Sequence, residues 1–307
     1  MNSPLLNIAV KAARQAGRII LRQMERLDRV TVERKGHNDF VSAVDRMAEE
    51  AIIDIVHHLY PSHRIIAEES GEHPGQPPAE TAAPKSERKP GQKSSTKSES
   101  KSAQKPVRAA DRECEWIIDP LDGTANYLHG HPQFAVSIAV RCGGRLEHGV
   151  VFDPLRDELY TASRGQGAHL NSRRIRVTGQ DKLARAMLAT GFPFRRSANF
   201  EPWMRAFEAL LPRVSDMRRG GSSALDLAYV AAGRLDGFWE SGLACWDIAA
   251  GSLLVREAGG LVADFDGAQK FLENGQIVAA NPKIFNDILV AASASIGAAE
   301  TPPAQTG

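Results

Sequence analysis

The sequence predicts an α/β (α+β) protein in which sheets and helices pack in layers. Patterns typical of strands cluster in the middle of the chain, and patterns typical of helices lie among them and at both ends. In the clearest strand Val136, Ile138 and Val140 alternate with smaller or polar residues. In the clearest helix, residues 4–27, apolar side chains recur every three or four positions. With 307 residues and 42% hydrophobic content, the chain can bury a substantial core.

Each remaining element is predicted from the same two periodicities. Further helices are predicted at residues 42–59, 199–211, 223–233, 247–258 and 282–292. Strands are predicted at residues 63–67, 115–119, 133–142, 146–152, 157–163, 185–190, 235–240, 261–265 and 276–280. We expect one domain of two lobes that share a cleft, formed by residues 1–71 and 113–295, followed by a flexible tail at 296–307.

Residues 72–112 differ from the rest of the chain. They contain no aromatic residue, Ile, Leu or Met, and a single Val, while Pro, Lys, Ser, Ala and Glu dominate. Such a composition buries too little apolar surface to offset the entropy of ordering the chain, so the segment is predicted to be a disordered insertion. It is mildly basic. Its simplest interpretation is a solvated surface segment, and an arm that binds RNA or a partner is the alternative.

Charge and cysteine content exclude several classes of protein. The net charge of +1 argues against wholesale binding of nucleic acid or membrane through bulk electrostatics, and no uncharged apolar stretch is long enough to span a membrane. The three cysteines, Cys114, Cys142 and Cys245, are expected to be free thiols in the reducing cytoplasm. Paired arginines are interpreted as surface or subunit-interface ion pairs; they are Arg173, Arg174, Arg195, Arg196, Arg218 and Arg219.

The segment WIIDPLDGTANY, residues 116–127, carries the strongest chemical signal. Asp119 and Asp122 lie three residues apart on a predicted turn and are followed by Gly123 and Thr124. Hard divalent cations prefer carboxylate oxygens, and glycine lets backbone N–H groups approach a phosphate closely. This combination favours a site that holds metal ions against a phosphate, although Asp-Pro and Asp-Gly are also ordinary turn pairs.

Two further acids strengthen that interpretation. Asp247 opens a predicted helix, where an acid can simply stabilise the helix dipole, and Glu68 follows a predicted strand, where it can be a solvated loop residue. If both converge with Asp119 and Asp122, however, four negative charges share one cleft, and cations are needed to neutralise them. Two Mg²⁺ ions would do so.

Thr124 and Asp45 complete the candidate catalytic set. Thr124 can hydrogen-bond a metal-bound water, and Asp45 can take up its proton. The spacing from Ser42 to Asp45 also fits a helix-capping box, and both roles are compatible because a helix start can line a site.

These residues together resemble the inositol monophosphatase family, and most closely its bacterial SuhB-type members. The resemblance extends from the first helix to residues 281–285 and omits only the insertion. It rests on five segments in order: KGHNDFVSAVD (35–45), IAEESG (66–71), WIIDPLDGTANY (116–127), RRGGSSALDLAYVAAGRLDGFWE (218–240) and WDIAAGSLLVREAGG (246–260).

The resemblance implies a layered α-β-α-β-α sandwich of the Mg²⁺-dependent, lithium-sensitive type. Glu68, Asp119 and the Leu121 carbonyl would hold one Mg²⁺, and a third ion would share Glu68. A second ion would be held by Asp119, Asp122 and Asp247. Glu68, Thr124 and Asp45 would be catalytic. Substrate contacts would come from Asp122, Gly123, Thr124, Ser223, Glu240 and Asp247.

The implied activity is hydrolysis of a small polyol phosphate monoester, with inositol-1-phosphate first among the candidates. Fructose-1,6-bisphosphate or an adenosine bisphosphate is the alternative substrate. The resemblance also implies a homodimer. A different class of function stays open, since SuhB-type members suggest an accessory factor in ribosomal RNA transcription antitermination, which would bring the transcription machinery in as a partner.

Overall fold

The computed structural model describes residues 3–25, 32–36, 39–76, 114–193 and 200–297. Its α-helices are α1 (Pro4–Met24), α2 (Ala43–Leu59), α3 (Thr124–Leu128), α4 (Phe200–Leu210), α5 (Ser223–Ala231), α6 (Cys245–Glu257), α7 (Phe271–Asn274) and α8 (Phe285–Gly297). Its strands are β1 (Val32–Gly36), β2 (Asp39–Ser42), β3 (Arg64–Ala67), β4 (Gly71–His73), β5 (Cys114–Asp122), β6 (Ala135–Cys142), β7 (Arg145–Asp153), β8 (Glu158–Ser163), β9 (Gly167–Leu170), β10 (Arg173–Ile175), β11 (Met187–Thr190), β12 (Asp216–Arg218), β13 (Gly237–Ser241), β14 (Leu261–Ala263) and β15 (Gln276–Ala280).

The strands form two main sheets and one hairpin. The large sheet has eight strands in the order β10-β9-β8-β7-β6-β5-β3-β4, and the small sheet has five in the order β12-β11-β13-β15-β14. Strands β1 and β2 form a separate antiparallel pair. In the large sheet β5 runs parallel to β3 and antiparallel to β6, so it lies well inside the sheet. The residues at the end of β5 are therefore held from both sides.

Helices cover both sheets and fill the space between them. On the outer face of the large sheet, α1 and α2 pack through alanine and isoleucine side chains such as Ala12 and Ile52. Helices α5 and α6 lie between the sheets, where Leu227, Ile248 and Leu254 are fully buried. Helices α4 and α8 cover the small sheet. The expected α-β-α-β-α layering is confirmed.

Short elements account for most of the differences from the sequence prediction. The β1–β2 hairpin, β4, β9, β10, β12 and the short helices α3 and α7 were not predicted, because each has too few residues to show a period. The predicted insertion at 72–112 is wrong at its start, where β4 continues to His73, and residues 77–112 of it lie outside the described residues. Likewise α8 takes up residues 296–297 of the predicted tail, and 298–307 lie outside the described part.

The expectation about membrane spans agrees with the described helices. None of them combines the length and the apolar character that crossing a bilayer requires.

The expectation of three free thiols is wrong for two of the cysteines. Cys114 and Cys142 form a disulfide, and only Cys245 keeps a free thiol. The two bonded residues begin β5 and end β6, and they are direct partners across the antiparallel pair, with Cα atoms 4.2 Å apart. Sequence spacing did not indicate this pairing because the register of two strands is a tertiary property.

Removing the disulfide should destabilise the protein. The bond closes a loop between residues 28 positions apart, so replacing both Cys114 and Cys142 by Ser should lower the free energy of unfolding by about 3–4 kcal/mol through the entropy of the unfolded chain. Denaturant unfolding with and without a reductant measures this. As a control, Cys245→Ser removes a thiol without removing a cross-link and should cost less than ~1 kcal/mol. Equal stability of the oxidised and reduced protein would contradict the prediction.

Candidate functional site

The residues predicted to form the site lie together in one cleft between the two sheets. Its walls include nearly all of them: Glu68, Asp119, Leu121, Asp122, Gly123, Thr124, Ser223, Glu240 and Asp247. Asp45 is fully buried beside the cleft and reaches it through Thr124. The elements that contribute are β5 from the large sheet, β13 from the small sheet, and α5 and α6 from the layer between them. Glu68 and Asp247, which are 179 positions apart in sequence, thus meet in one cleft.

Three carboxylates at the centre are close enough to share a metal ion. Asp119, Asp122 and Asp247 each offer an oxygen, and these oxygens lie within 4.8 Å of one another. All of the donors in this set are oxygens, with neither sulfur nor imidazole, and this suits a hard cation such as Mg²⁺. The residues present therefore fit the ion that the sequence predicted.

Asp122 is held by the start of α5. Its Oδ2 accepts hydrogen bonds from Ser222 Oγ at 2.6 Å and from the backbone N–H of Ala224 at 2.7 Å. Ser222 is also the N-cap residue of the helix, where its hydroxyl oxygen accepts from the N–H of Leu225. The free N–H groups at a helix start favour negative charge, so α5 both stabilises and aims this carboxylate.

The other two aspartates are fixed by neighbouring backbone. The N–H of Leu121 donates to Asp119 Oδ1 at 2.9 Å, and the N–H of Ala244 donates to Asp247 Oδ2 at 2.7 Å. Asp247 lies in the first turn of α6, as the sequence predicted. A backbone N–H group thus helps to fix the orientation of each carboxylate.

Glu68 is placed by a buried acid that the sequence prediction missed. Glu49 on α2 is 2% exposed, and its two carboxylate oxygens accept from the N–H groups of Glu69 and Ser70, each at 2.8 Å. These bonds hold the turn after β3 and with it Glu68, which lies against Asp119. The helical spacing could have indicated that Glu49 is buried, because Asp45 and Glu49 both fall on the face of α2 that carries the buried Ala48 and Ile52.

The clustering of acids changes their protonation. Burial raises the pKa of Asp119 well above its usual range, and the negative charges of Glu68, Asp122 and Asp247 raise it further. The protein by itself therefore keeps these charges together only at a cost in free energy. A bound cation removes that cost, which is the electrostatic reason to expect one here.

Thr124 and Asp45 are in contact, as predicted. The Thr124 hydroxyl lies 2.9 Å from Asp45 Oδ1 and 3.1 Å from the Leu121 carbonyl oxygen. When it donates its one proton to Asp45, its lone pairs remain to accept a hydrogen bond from the cleft. Gly123 makes the turn possible, since its φ is +96° and a Cβ there would lie 2.8 Å from the Gln133 carbonyl oxygen.

Beyond the three clustered aspartates, a second group of charges lines the cleft. It consists of Glu240 on β13, Asp226 on α5 and Arg219, which precedes α5. Burial raises the pKa of Asp226, and Asp122 adds to this while Arg219 opposes it. Burial also raises the pKa of Glu240, with further contributions from Asp226, Asp247 and Asp122 against that of Arg219.

Two members of this group were not predicted as site residues. Arg219 was interpreted only as a member of a surface or interface ion pair, and the structure places it in the wall of the cleft; its neighbour Arg218 pairs at the surface with Asp216. Arg195 and Arg196 lie outside the described residues. Asp226 lay inside a recognised motif but had no assigned role. It is the only charged residue in the otherwise apolar stretch 223–231, and that was a usable signal.

Comparisons with known proteins agree with this fold and site. Residues 1–298 match the model of the inositol monophosphatase family. The proteins called Nus factor SuhB from Pseudomonas aeruginosa and Escherichia coli K12 are each 47% identical to the chain, over 93% of its length and 94% of theirs.

Solved structures agree as well. The extragenic suppressor protein suhB of Bartonella henselae matches with a TM-score of 0.80 and 38% identity, over 94% of this chain and 98% of that one. Inositol monophosphatase from Anabaena matches with a TM-score of 0.72 and 32% identity, over 98% and 97%. The fold and the acidic cleft define a metal-dependent phosphatase. The chain belongs to the inositol monophosphatase family.

Metal binding should be measurable as stability, without any assay of activity. Asp119 has a higher pKa in the folded than in the unfolded protein, so the metal-free fold binds more protons and loses stability as pH rises through the folded value. Mg²⁺ competes with those protons, so the rise in melting temperature on adding Mg²⁺ should grow as the pH rises. At 100 times the dissociation constant the gain is about 2.7 kcal/mol.

Two variants make this measurement specific. Asp122→Asn removes a charge from the cluster and should lose most of the Mg²⁺-induced shift. Asp216→Asn changes an exposed acid on β12 and should keep it. A shift that is equal in the two variants, or that shrinks as pH rises, would rule out the cluster as the binding site.

Proposed function

We propose that the protein hydrolyses a small polyol phosphate monoester with Mg²⁺, and that inositol-1-phosphate is its preferred substrate. The observation that carries the proposal is the convergence of Asp119, Asp122 and Asp247 beside the Gly123–Thr124 turn. Carboxylates that bind metal ions and a glycine turn that admits a phosphate are the two parts that phosphoryl transfer to water requires.

The residues would divide the metal binding as the resemblance implies. Glu68, Asp119 and the Leu121 carbonyl would hold one Mg²⁺, and Asp119, Asp122 and Asp247 would hold the second, with Glu68 shared by a third. When bound, the ions would neutralise the phosphate charge and lower the pKa of water. Asp119 would contribute to both sites, since the charges of Glu68, Asp122 and Asp247 all act on it.

The chain's own contribution to the chemistry is to position water and substrate. Thr124, donating to Asp45, can accept a hydrogen bond from the attacking water and so aim its lone pair at phosphorus. Asp45 is fully buried and can take up the proton that Thr124 relays. No side-chain nucleophile is required, because water attacks in line and the leaving alcohol departs on the opposite side.

The rest of the cleft would contact the alcohol. Ser223 lies at the first position of α5 and Glu240 on β13, and both line the cleft. Gly123 and Thr124 would contact the phosphate. Asp122 and Asp247 complete the proposed set of substrate contacts. Acidic groups suit the hydroxyls of a polyol better than the second phosphate of fructose-1,6-bisphosphate or an adenosine bisphosphate. The proposal also includes, from the family resemblance, sensitivity to lithium, a homodimer and a cytoplasmic location.

The direct test is phosphate release from inositol-1-phosphate. Wild-type protein should release phosphate only with Mg²⁺, and Asp122→Asn should lower kcat/KM at least ~100-fold, since a charge that binds the metal is lost. Asp216→Asn, which changes an exposed acid, is the matched control and should behave as wild type. Full activity in the Asp122 variant would show that the site is assigned wrongly.

A second candidate function is favoured by the relatives. Proteins 47% identical to this chain are called Nus factor SuhB, so we propose an accessory role in transcription antitermination as the alternative or additional function. Such a role would depend on the protein surface and a partner in the transcription machinery, whereas the acids described above are buried in a cleft. The two functions can therefore be separated by substitution.

Complementation tests that separation. In Escherichia coli cells lacking their own relative, wild-type protein should restore ribosomal RNA transcription. Asp122→Asn should restore it equally, because burial keeps the changed atom away from a partner. Expression levels and the loss of phosphatase activity are checked in the same cells. Failure of a normally expressed Asp122→Asn protein would tie the cellular role to the phosphatase.

A further inference from the structure

We propose that Glu49 is a positioning residue for metal binding. It holds the loop that carries Glu68 and so sets how tightly the protein binds the Mg²⁺ ions to which Glu68 contributes. The inference rests on the proposed function, in which Glu68 is a metal ligand, and extends it to an acid on α2 that is not part of the cleft wall. Glu49 is 2% exposed, and a buried carboxylate costs free energy unless it is hydrogen-bonded. The partners of Glu49 both belong to one loop.

That loop joins β3 to β4. Ala67 pairs with Gly71 across these strands, so the loop consists of residues 68–70 alone. Gly71 has a φ of +80°, the left-handed conformation that commonly closes a loop of three residues. The first residue of the loop is fixed by β5, where the Ile118 carbonyl oxygen accepts from the Glu68 N–H at 3.1 Å. The next two N–H groups need acceptors from elsewhere in the protein.

Glu49 supplies both of these acceptors. Its Oε2 accepts from the Glu69 N–H and its Oε1 from the Ser70 N–H, each at 2.8 Å. A carboxylate suits this pair of donors because each of its oxygens can accept. An amide of the same shape has one oxygen, and its NH₂ group would face a second donor. The two bonds fix consecutive peptide groups directly after Glu68, and with them the orientation of its side chain.

Glu49 acts through this loop and does not bind the ion itself. Both of its oxygens are engaged by backbone. Among the described residues, the acids close enough to share a metal are Asp119, Asp122 and Asp247. Burial raises the pKa of Asp119, and the charges that raise it further are those of Glu68, Asp122 and Asp247, without a contribution from Glu49. The influence of Glu49 on the metal site is therefore geometric and passes through Glu68.

Helix α2 thus carries two buried acids with different tasks. Asp45 and Glu49 lie about one turn apart on the same face of the helix. Asp45 contacts the Thr124 hydroxyl and belongs to the proposed water-positioning group, whereas Glu49 holds the loop of Glu68. Loss of a group that orients a metal ligand typically lowers metal affinity about 10- to 100-fold. We expect that loss for Glu49, with kcat recovered once Mg²⁺ is saturating.

The test is calorimetric titration of the full chain with Mg²⁺, which needs no assay of activity. Glu49→Gln should raise the dissociation constant of the ions that Glu68→Gln also weakens, by about 10- to 100-fold. Glu50→Gln makes the same change at the next, exposed position of α2 and should bind Mg²⁺ as wild type does. Ser70→Ala keeps the N–H that Glu49 holds and loses only the hydroxyl contact with His73, so it should also bind normally.

A double-mutant cycle separates positioning from a general loss of structure. Because Glu49 acts through Glu68, Glu49→Gln should have almost no further effect on Mg²⁺ binding in a protein that already carries Glu68→Gln. With inositol-1-phosphate, Glu49→Gln should need more Mg²⁺ but approach the wild-type kcat at saturation. A merely structural role would lower the melting temperature of the metal-free protein without changing its Mg²⁺ requirement.

A second variant covers the case in which Glu49→Gln does not fold. Glu49→Asp keeps the charge but shortens the side chain, and it should also weaken Mg²⁺ binding. Wild-type affinity in either folded variant, or fully additive losses in the cycle, would overturn the positioning role. A wild type that binds Mg²⁺ but hydrolyses no phosphate ester would instead overturn the proposed function and leave the role of Glu49 intact.

Discussion

The structure depends on keeping several like charges together at the end of one strand. Asp119 and Asp122 close β5, and Asp247 approaches from α6 to within 4.8 Å. Repulsion would separate them if the protein did not hold each one by a hydrogen bond from backbone or from a helix start. Bound cations would offset the repulsion between these carboxylates. The folded protein should therefore be more stable with the ions than without them.

The layered architecture follows from the same requirement. The clustered aspartates need rigid supports from different directions, and the middle layer provides them. The first turn of α5 holds Asp122, and the first turn of α6 carries Asp247. Both helices are buried between the sheets and cannot shift without disturbing the core. On the far side of the large sheet, α2 contributes Asp45 and Glu49, which hold Thr124 and the turn after β3. The layer of α2, the large sheet and the layer of α5 and α6 therefore all hold residues of the same site.

The sequence predicted the elements with long periodic patterns and the site residues that share a motif. It did not predict features that depend on tertiary contacts. The long helices α1 and α2 and the strand β6 were predicted because their periods repeat several times. The convergence of Glu68, Asp119, Asp122 and Asp247 was predicted from residue types that make sense only together. The pairing of Cys114 with Cys142 depends on strand register, and the place of Arg219 in the cleft depends on which way a loop turns. Neither the disulfide nor the position of Arg219 produces a periodic pattern in the sequence.

Asp122 connects the two halves of the cleft. Its charge raises the pKa of Asp119 on the metal side and those of Asp226 and Glu240 on the other. A cation bound at Asp122 would therefore weaken the repulsion that its charge exerts on Asp226 and Glu240, while burial would continue to raise the pKa of both. The charge state of Asp122 therefore acts on both halves of the cleft. Because α5 carries Asp226 and also holds Asp122 through its first turn, one buried helix fixes acids in both halves of the cleft.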